Sequence, residues 1–169
     1  MTTLEQGGKN MPDIHPFLWF DTQAEEAAEY YTSVFPDSSI LEVARYGAAG
    51  PGPIGSVMTV SFSLDGIEFV ALNGGPEHCD FNLGVSFVVD CKSQDEVDYY
   101  WSALTDGGEE GACGWLKDRF GLSWQIVPEG LPALLGDPDP DRSERAMRAM
   151  MNMKKLDLPA MEAAAADNG

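Results

Sequence analysis

One stretch of this chain occurs twice, and that constrains everything else. Asp21–Phe35 reads DTQAEEAAEYYTSVF and Asp90–Leu104 reads DCKSQDEVDYYWSAL, so that at an offset of 69 Asp21 meets Asp90, Glu26 meets Asp95 and Tyr30-Tyr31 meets Tyr99-Tyr100. Each copy follows an apolar run of strand length, Phe17–Phe20 and Val85–Val89. A repeated unit is one supersecondary module used twice. With 169 residues the chain has room for a single domain with a real core, built from both copies.

The first module reads strand, helix, strand, strand, strand. His15–Asp21 is aromatic and apolar, as a pleated strand requires. Thr22, with Glu25 three residues on, predicts a capping box, and Ala24, Ala27, Ala28, Tyr31 and Val34 make a helical stripe that ends at Pro36-Asp37. Strands follow at Ile40–Tyr46, Ser56–Leu64 and Ile67–Asn73, with a Gly/Pro loop over Gly47–Gly55 and a hairpin turn at Asp65-Gly66. The second module opens at Gly84–Asp90, continues with a helix over Ser93–Thr105, and has strands at Glu110–Leu116 and Gly121–Val127. Here the repeat resumes at an offset of 55, with Gly66–Leu72 matching Gly121–Val127, so the second copy is shorter. The expected organisation is a disordered N-terminus over 1–11, a domain over 14–136 with modules at about 14–75 and 83–128, and a C-terminal segment over 137–169. In that last segment Asp139 and Pro140 start a helix running to about Lys155, docked on the domain's own core or offering its methionines to a partner, and 160–169 fray.

Alternate side chains of a strand point to opposite faces. One face carries Leu18, Phe20, Ile67, Phe69, Ala71, Val85, Phe87, Val89, Leu122, Trp124 and Ile126, and is expected under the helices. The other mixes aromatics with isolated polar groups: His15, Phe17, Trp19, Glu68, Val70, Ser86, Ser123 and Gln125. Such a face either packs on another sheet or subunit or forms a small-molecule pocket. The candidate pocket residues are His15, Phe17, Trp19, Glu68, Val70, Ser86, Gln125 and, as a wall, Trp115. Lys117, Asp118 and Arg119 read as turn charges, and Cys113 is a nucleophile only if a base or positive field surrounds it.

Charge narrows the partners. Ten basic residues against 28 acidic give −18, which argues against nucleic acid and anionic membranes, both of which need Lys and Arg. No apolar run reaches membrane-spanning length, the first residues carry no signal-like segment, and three widely spaced cysteines (Cys79, Cys91, Cys113) fit neither a zinc nor a disulfide pattern. A cytoplasmic protein with reduced thiols is expected.

The segments PFLWFDTQAEEAAEYYTSVFPDSSI, GPGPIGSVMTVSFSLDG, FVALNGGP and CGWLKDRFGLSWQIVP are similar to those of the PhnB-like branch of the vicinal oxygen chelate superfamily, over about residues 14–155. The resemblance implies an α+β fold in which two βαβββ modules form a curved, mostly antiparallel, glyoxalase-like sheet, here with an added C-terminal helix, and it implies a homodimer. Metal-dependent relatives take four ligands from equivalent strands of the two modules, and the repeat register carries these to His15, Val70, Gly84 and Gln125. Only His15 is a strong ligand, so no cofactor is expected, and any divalent metal would rest on His15, Glu68 and Gln125. The resemblance leaves two readings open: a metal-independent small-molecule binder, and a metal-dependent lyase, isomerase or dioxygenase. A methyltransferase label carried by such relatives has no support here, because no glycine-rich strand-to-helix motif of a nucleoside site is present. A third reading is an interaction protein acting through a dimer and its tail.

Overall fold

β1 (Phe17–Phe20) leads into α1 (Ala24–Val34), then β2 (Ser39–Arg45), β3 (Val57–Leu64) and β4 (Ile67–Asn73), and a 3-10 turn at Pro76–His78 closes the first unit. The structure is a computed structural model that describes residues 14–78 and 80–167. The chain divides into two compact units at residue 79, and the expected disorder over 1–11 lies outside the described residues. In the first unit the sheet order is β1-β4-β3-β2, with β1 parallel to β4 and the other pairs antiparallel. The whole predicted stripe of α1 is buried, and Tyr31 stacks toward Phe62, which stacks on Phe69. Leu18, Phe20, Phe69 and Ala71 are buried as expected; Ile67, at the very start of β4, is exposed. Asp65 and Gly66 both have positive φ (46° and 79°), so the hairpin is the two-residue turn whose twist matches the strands.

Thr22 does not cap α1. The cap position is Gln23, without a side-chain bond, and the first helical N–H, of Ala24, is donated to Asn73 Oδ1 at 2.7 Å. Parallel pairing of β1 with β4 brings the end of β4 beside the start of α1, so a residue 49 positions away replaces the local cap. The second module caps locally: Ser93 accepts from Glu96 N–H, and Glu96 accepts from Lys92 N–H at 2.7 Å.

The second unit repeats the plan with β5 (Phe87–Cys91), α2 (Gln94–Thr105), β6 (Glu109–Glu110), β7 (Trp115–Lys117) and β8 (Ser123–Pro128), in the order β5-β8-β7-β6 with β5 parallel to β8. The α+β class and the βαβββ order therefore hold in both units. Two expectations change. The single strand over Glu110–Leu116 is two short ones, because Cys113 (φ 56°) and Gly114 (φ 84°) turn the chain between them. Val85 lies outside β5 and is exposed. The second copy is shorter because β6 and β7 are stubs and the loop between them spans only 111–114.

The ladders also correct the repeat register. Val70 lies opposite Phe17 and Gln125 opposite Val88, so if the closing strands match at 55, the opening strands match at 71 (17 to 88) rather than 69. In the helices the buried sets Ala27, Tyr31, Val34 and Val97, Trp101, Leu104 match at 70. The structural partner of Tyr31 is thus Trp101, and the shared Tyr-Tyr is offset by one residue from true equivalence.

Beyond β8 come α3 (Leu131–Leu135), α4 (Pro140–Met151) and α5 (Leu158–Ala166). Asp139 caps α4 as expected, but the helix stops at Met151, and residues 160–166, expected to fray, are helical. The reason is burial: Met161 and Ala165 enter a core with Leu131, Leu134, Ala146 and Leu156. Gln94 fixes this tail at both ends of its amide, donating to Leu156 O (3.0 Å) and accepting from Leu158 N–H (3.1 Å). Met147 and Met151 remain exposed.

Candidate functional site

The face of each sheet turned away from its helix is built by register. In the first unit Phe17 stands beside Val70 and Val70 beside Ser61; one row along, Trp19 stands beside Leu72 and Leu72 beside Thr59; Glu68 pairs with Ser63 on the same face. Phe17 is 56% exposed, a large apolar side chain offered to solvent. Trp19 is held rigidly. Its indole N–H donates to Gly75 O at 2.8 Å, His78 meets its ring edge-on at 5.3 Å, and its ring lies so close over Gly74 that any Cβ there would collide with it. His15 is exposed and lies two residues before β1, outside the paired ladder, while Glu68 lies within β4.

In the second unit Val88 and Trp115 flank Gln125, whose amide donates to Ser86 Oγ at 2.9 Å. Ser123, on the same face, is fully buried, and its hydroxyl has no partner among the described residues. Trp115 also walls a small cleft of about 350 Å³ with Leu83, Gly111 and Glu110. The Trp101 indole N–H, with Lys154, holds the Glu110 carboxyl below the usual range. Of the eight candidate residues, five belong to the first unit and three to the second: Phe17, Trp19, Glu68 and Val70 share a sheet face in the first, Trp115 and Gln125 share one in the second with Ser86 bonded to Gln125, and His15 precedes β1.

The metal question turns on donor chemistry. With opening strands matched at 71, the counterpart of His15 is Ser86, not Gly84. The four equivalent positions then hold an imidazole (His15), an isopropyl group (Val70), a hydroxyl (Ser86) and an amide (Gln125). Gln125 and Ser86 bond to each other. Among the described residues no three His, Cys, Asp or Glu side chains come together to hold an ion. This set does not fit a catalytic metal, which takes about three protein ligands.

Three other expectations resolve clearly. Asp118 sits in the turn as expected but is buried, with Oδ1 accepting from Phe120 and Leu122 N–H (2.9 and 3.0 Å) and Oδ2 from Trp124 Nε1–H (2.8 Å). Arg119 does act in the turn, pairing with Asp106. The Cys113 thiol faces the Met150 carbonyl (3.6 Å) and Met151 sulfur (3.8 Å), neither of which is the base a nucleophile needs. Cys91 is inert for another reason: burial, aided by the Glu96 and Asp90 carboxylates, pushes its thiol from 9.0 up to about 12. A proton held more tightly in the folded than in the unfolded state gives stability that is complete below pH 9 and lost as pH rises toward 12. Cys91→Ala should therefore flatten the alkaline limb of the stability–pH curve, measured by urea unfolding at stepped pH.

The sequence reading missed a larger cleft in the first unit, about 520 Å³, at the Gly/Pro loop and the start of α1. The signal available was the loop's glycines around Tyr46, a residue 8% exposed.

No described helix is long and apolar enough to cross a membrane. The profile of the 3-demethylubiquinone-9 3-methyltransferase family matches residues 12–127. A PhnB protein from Bacillus cereus is 34% identical over 69% of this chain and 99% of its own, with a TM-score of 0.63. Protein PA1353 from Pseudomonas aeruginosa is 21% identical over 70% of this chain and 98% of its own, with a TM-score of 0.59, a likeness of fold. No curated protein matches.

Proposed function

This chain belongs to the PhnB-like family of the vicinal oxygen chelate superfamily, and from that premise we propose that it binds a small molecule on an open sheet face without a complete metal site. The observation that carries the reading is the first unit's face: exposed Phe17 and rigid Trp19 beside Val70 and Leu72, with Ser61, Thr59 and Glu68 as isolated polar groups. An apolar platform with few polar groups suits a small, partly aromatic or carbonyl-bearing ligand. Ligand burial against Phe17 contributes through lost apolar surface, so Phe17→Ala should weaken binding about tenfold or more. The test is amide NMR of the full chain titrated with catechol and with methylglyoxal. The expected result is shifts at Phe17, Ser61 and Val70, without turnover. Turnover of either compound with one bound ion per chain would sink the reading.

Methyl transfer, which the matched family's name carries, is not part of this proposal. The two strand-to-helix turns beside parallel strands pass through Asp21-Thr22-Gln23 and Lys92-Ser93, and neither offers the glycine-rich backbone that cradles a nucleoside cofactor. A second reading, a lyase, isomerase or dioxygenase of the superfamily, rests on the side-chain chemistry of His15 and Glu68, both suited to proton transfer or to a weakly held ion. Replacing both residues with any detected activity unchanged would eliminate it.

A further inference from the structure

The loop-side cleft of the first unit is separate in chemistry from the sheet face, and we propose that it is a second binding site, for a small organic cation with an apolar body. Its shape is built in. Tyr46 donates its hydroxyl proton to Asn73 O at 2.6 Å, and the loop closes on both edges of its ring. An added Cβ on Gly50 would lie 2.7 Å from the ring, and one on Gly52 would collide with the opposite edge. Pro51, Pro53 and Val57 supply further apolar wall, and the volume, about 520 Å³, lies in the range of small-molecule pockets.

Charge selects the ligand. The lining holds two carboxylates, Asp21 and Glu25, against one guanidinium, Arg45. Asp21 makes no hydrogen bond or ion pair through its carboxylate to any described residue, whereas Arg45 is engaged, donating to Gly55 O (3.2 Å) and lying 4.0 Å from Glu25. An anion would be drawn to a helix start. Here the Ala24 N–H is already given to Asn73 Oδ1, and both carboxylates repel negative charge. An ammonium or guanidinium group can instead meet Asp21 and Glu25 while its apolar part lies against the Tyr46 and proline wall. The Gly74-Gly75 backbone lines this cleft and also holds Trp19, so the two sites share a wall but not their ligand-binding groups.

The test uses the full chain, amide NMR and three probes of one shape: benzylammonium, benzyl alcohol and benzoate. Benzylammonium is expected to shift Tyr46, Val57, Gly74 and Gly75, and to bind about tenfold or more tighter than the other two, as expected for charge-assisted hydrogen bonds. The conservative pair Asp21→Asn with Glu25→Gln should remove that preference, and Arg45→Gln should not weaken it. Equal affinity for all three probes, shifts centred on Phe17 and Val70 instead, or no shift at millimolar benzylammonium would overturn the proposal. None of these outcomes depends on whether the sheet face binds its own ligand.

Discussion

Replacing Asp118 with Ala is expected to destabilise the second unit by about 3–5 kcal/mol, because two buried donors and a part-buried one lose a charged acceptor at once. Asp118 is 3% exposed, and its carboxylate ties the 118–122 turn to the indole of Trp124 near the start of β8. Asp118→Asn separates the two halves of this role. One amide oxygen still accepts from Phe120 and Leu122, but the amide nitrogen then faces the Trp124 N–H, donor against donor, for a cost of about 2 kcal/mol. Urea unfolding followed by tryptophan fluorescence suits the measurement, since Trp101, Trp115 and Trp124 are all in this unit and only Trp19 is in the other. A loss below about 1 kcal/mol for Asp118→Ala would show that the turn finds other acceptors.

Asn73→Ala is expected to cost about 2–3 kcal/mol in the first unit. Its side chain caps α1 through Ala24 N–H and, from its nitrogen, donates to Val57 O at 3.1 Å, so one amide ties the helix start to β3. Asn73→Asp keeps the cap, with a charge that suits the helix start, but sets a carboxylate against the Val57 carbonyl; it should cost about 1 kcal/mol. Hydrogen exchange locates the effect. Amides in Ala24–Val34 should exchange about thirtyfold faster in the Ala variant under native conditions, as a 2 kcal/mol loss implies. Unchanged exchange there, with the protein folded, would mean the cap is dispensable.

These two residues show where sequence reading reaches its limit. The βαβββ order, the α1 stripe, the Asp65-Gly66 turn and the Asp139-Pro140 helix start were all legible, because each is set by side chains a few positions apart. Asn73 as a cap and Asp118 as a hub were not, since their partners are fixed by strand pairing and turn geometry rather than by spacing. The Tyr-Tyr match misled by the same logic. Identical residues suggested an offset of 69, while burial matches the helices at 70 and the ladders match the opening strands at 71, which moves the third carried-over position from Gly84 to Ser86. The face carrying Phe17 and Val70 in the first unit, and that carrying Gln125 in the second, were legible from strict alternation. The loop-side cleft was not, because it depends on how 47–56 folds back over Tyr46. The tail was half legible: its first helix follows from a cap and a proline, but α5 forms through burial of Met161 and Ala165 in a core assembled from α3, α4 and Leu156.

On the proposed reading, this chain binds its ligand on a sheet face without a complete metal site. The most direct test is to strip the full chain with chelator and titrate it with nickel, zinc, manganese and iron(II), reading bound ion per chain by calorimetry and elemental analysis. With His15 the one strong donor among His15, Val70, Ser86 and Gln125, no ion should bind tightly at one per chain. One tightly held ion per chain, lost in His15→Ala, would contradict the account and make the metal-dependent enzyme the leading reading.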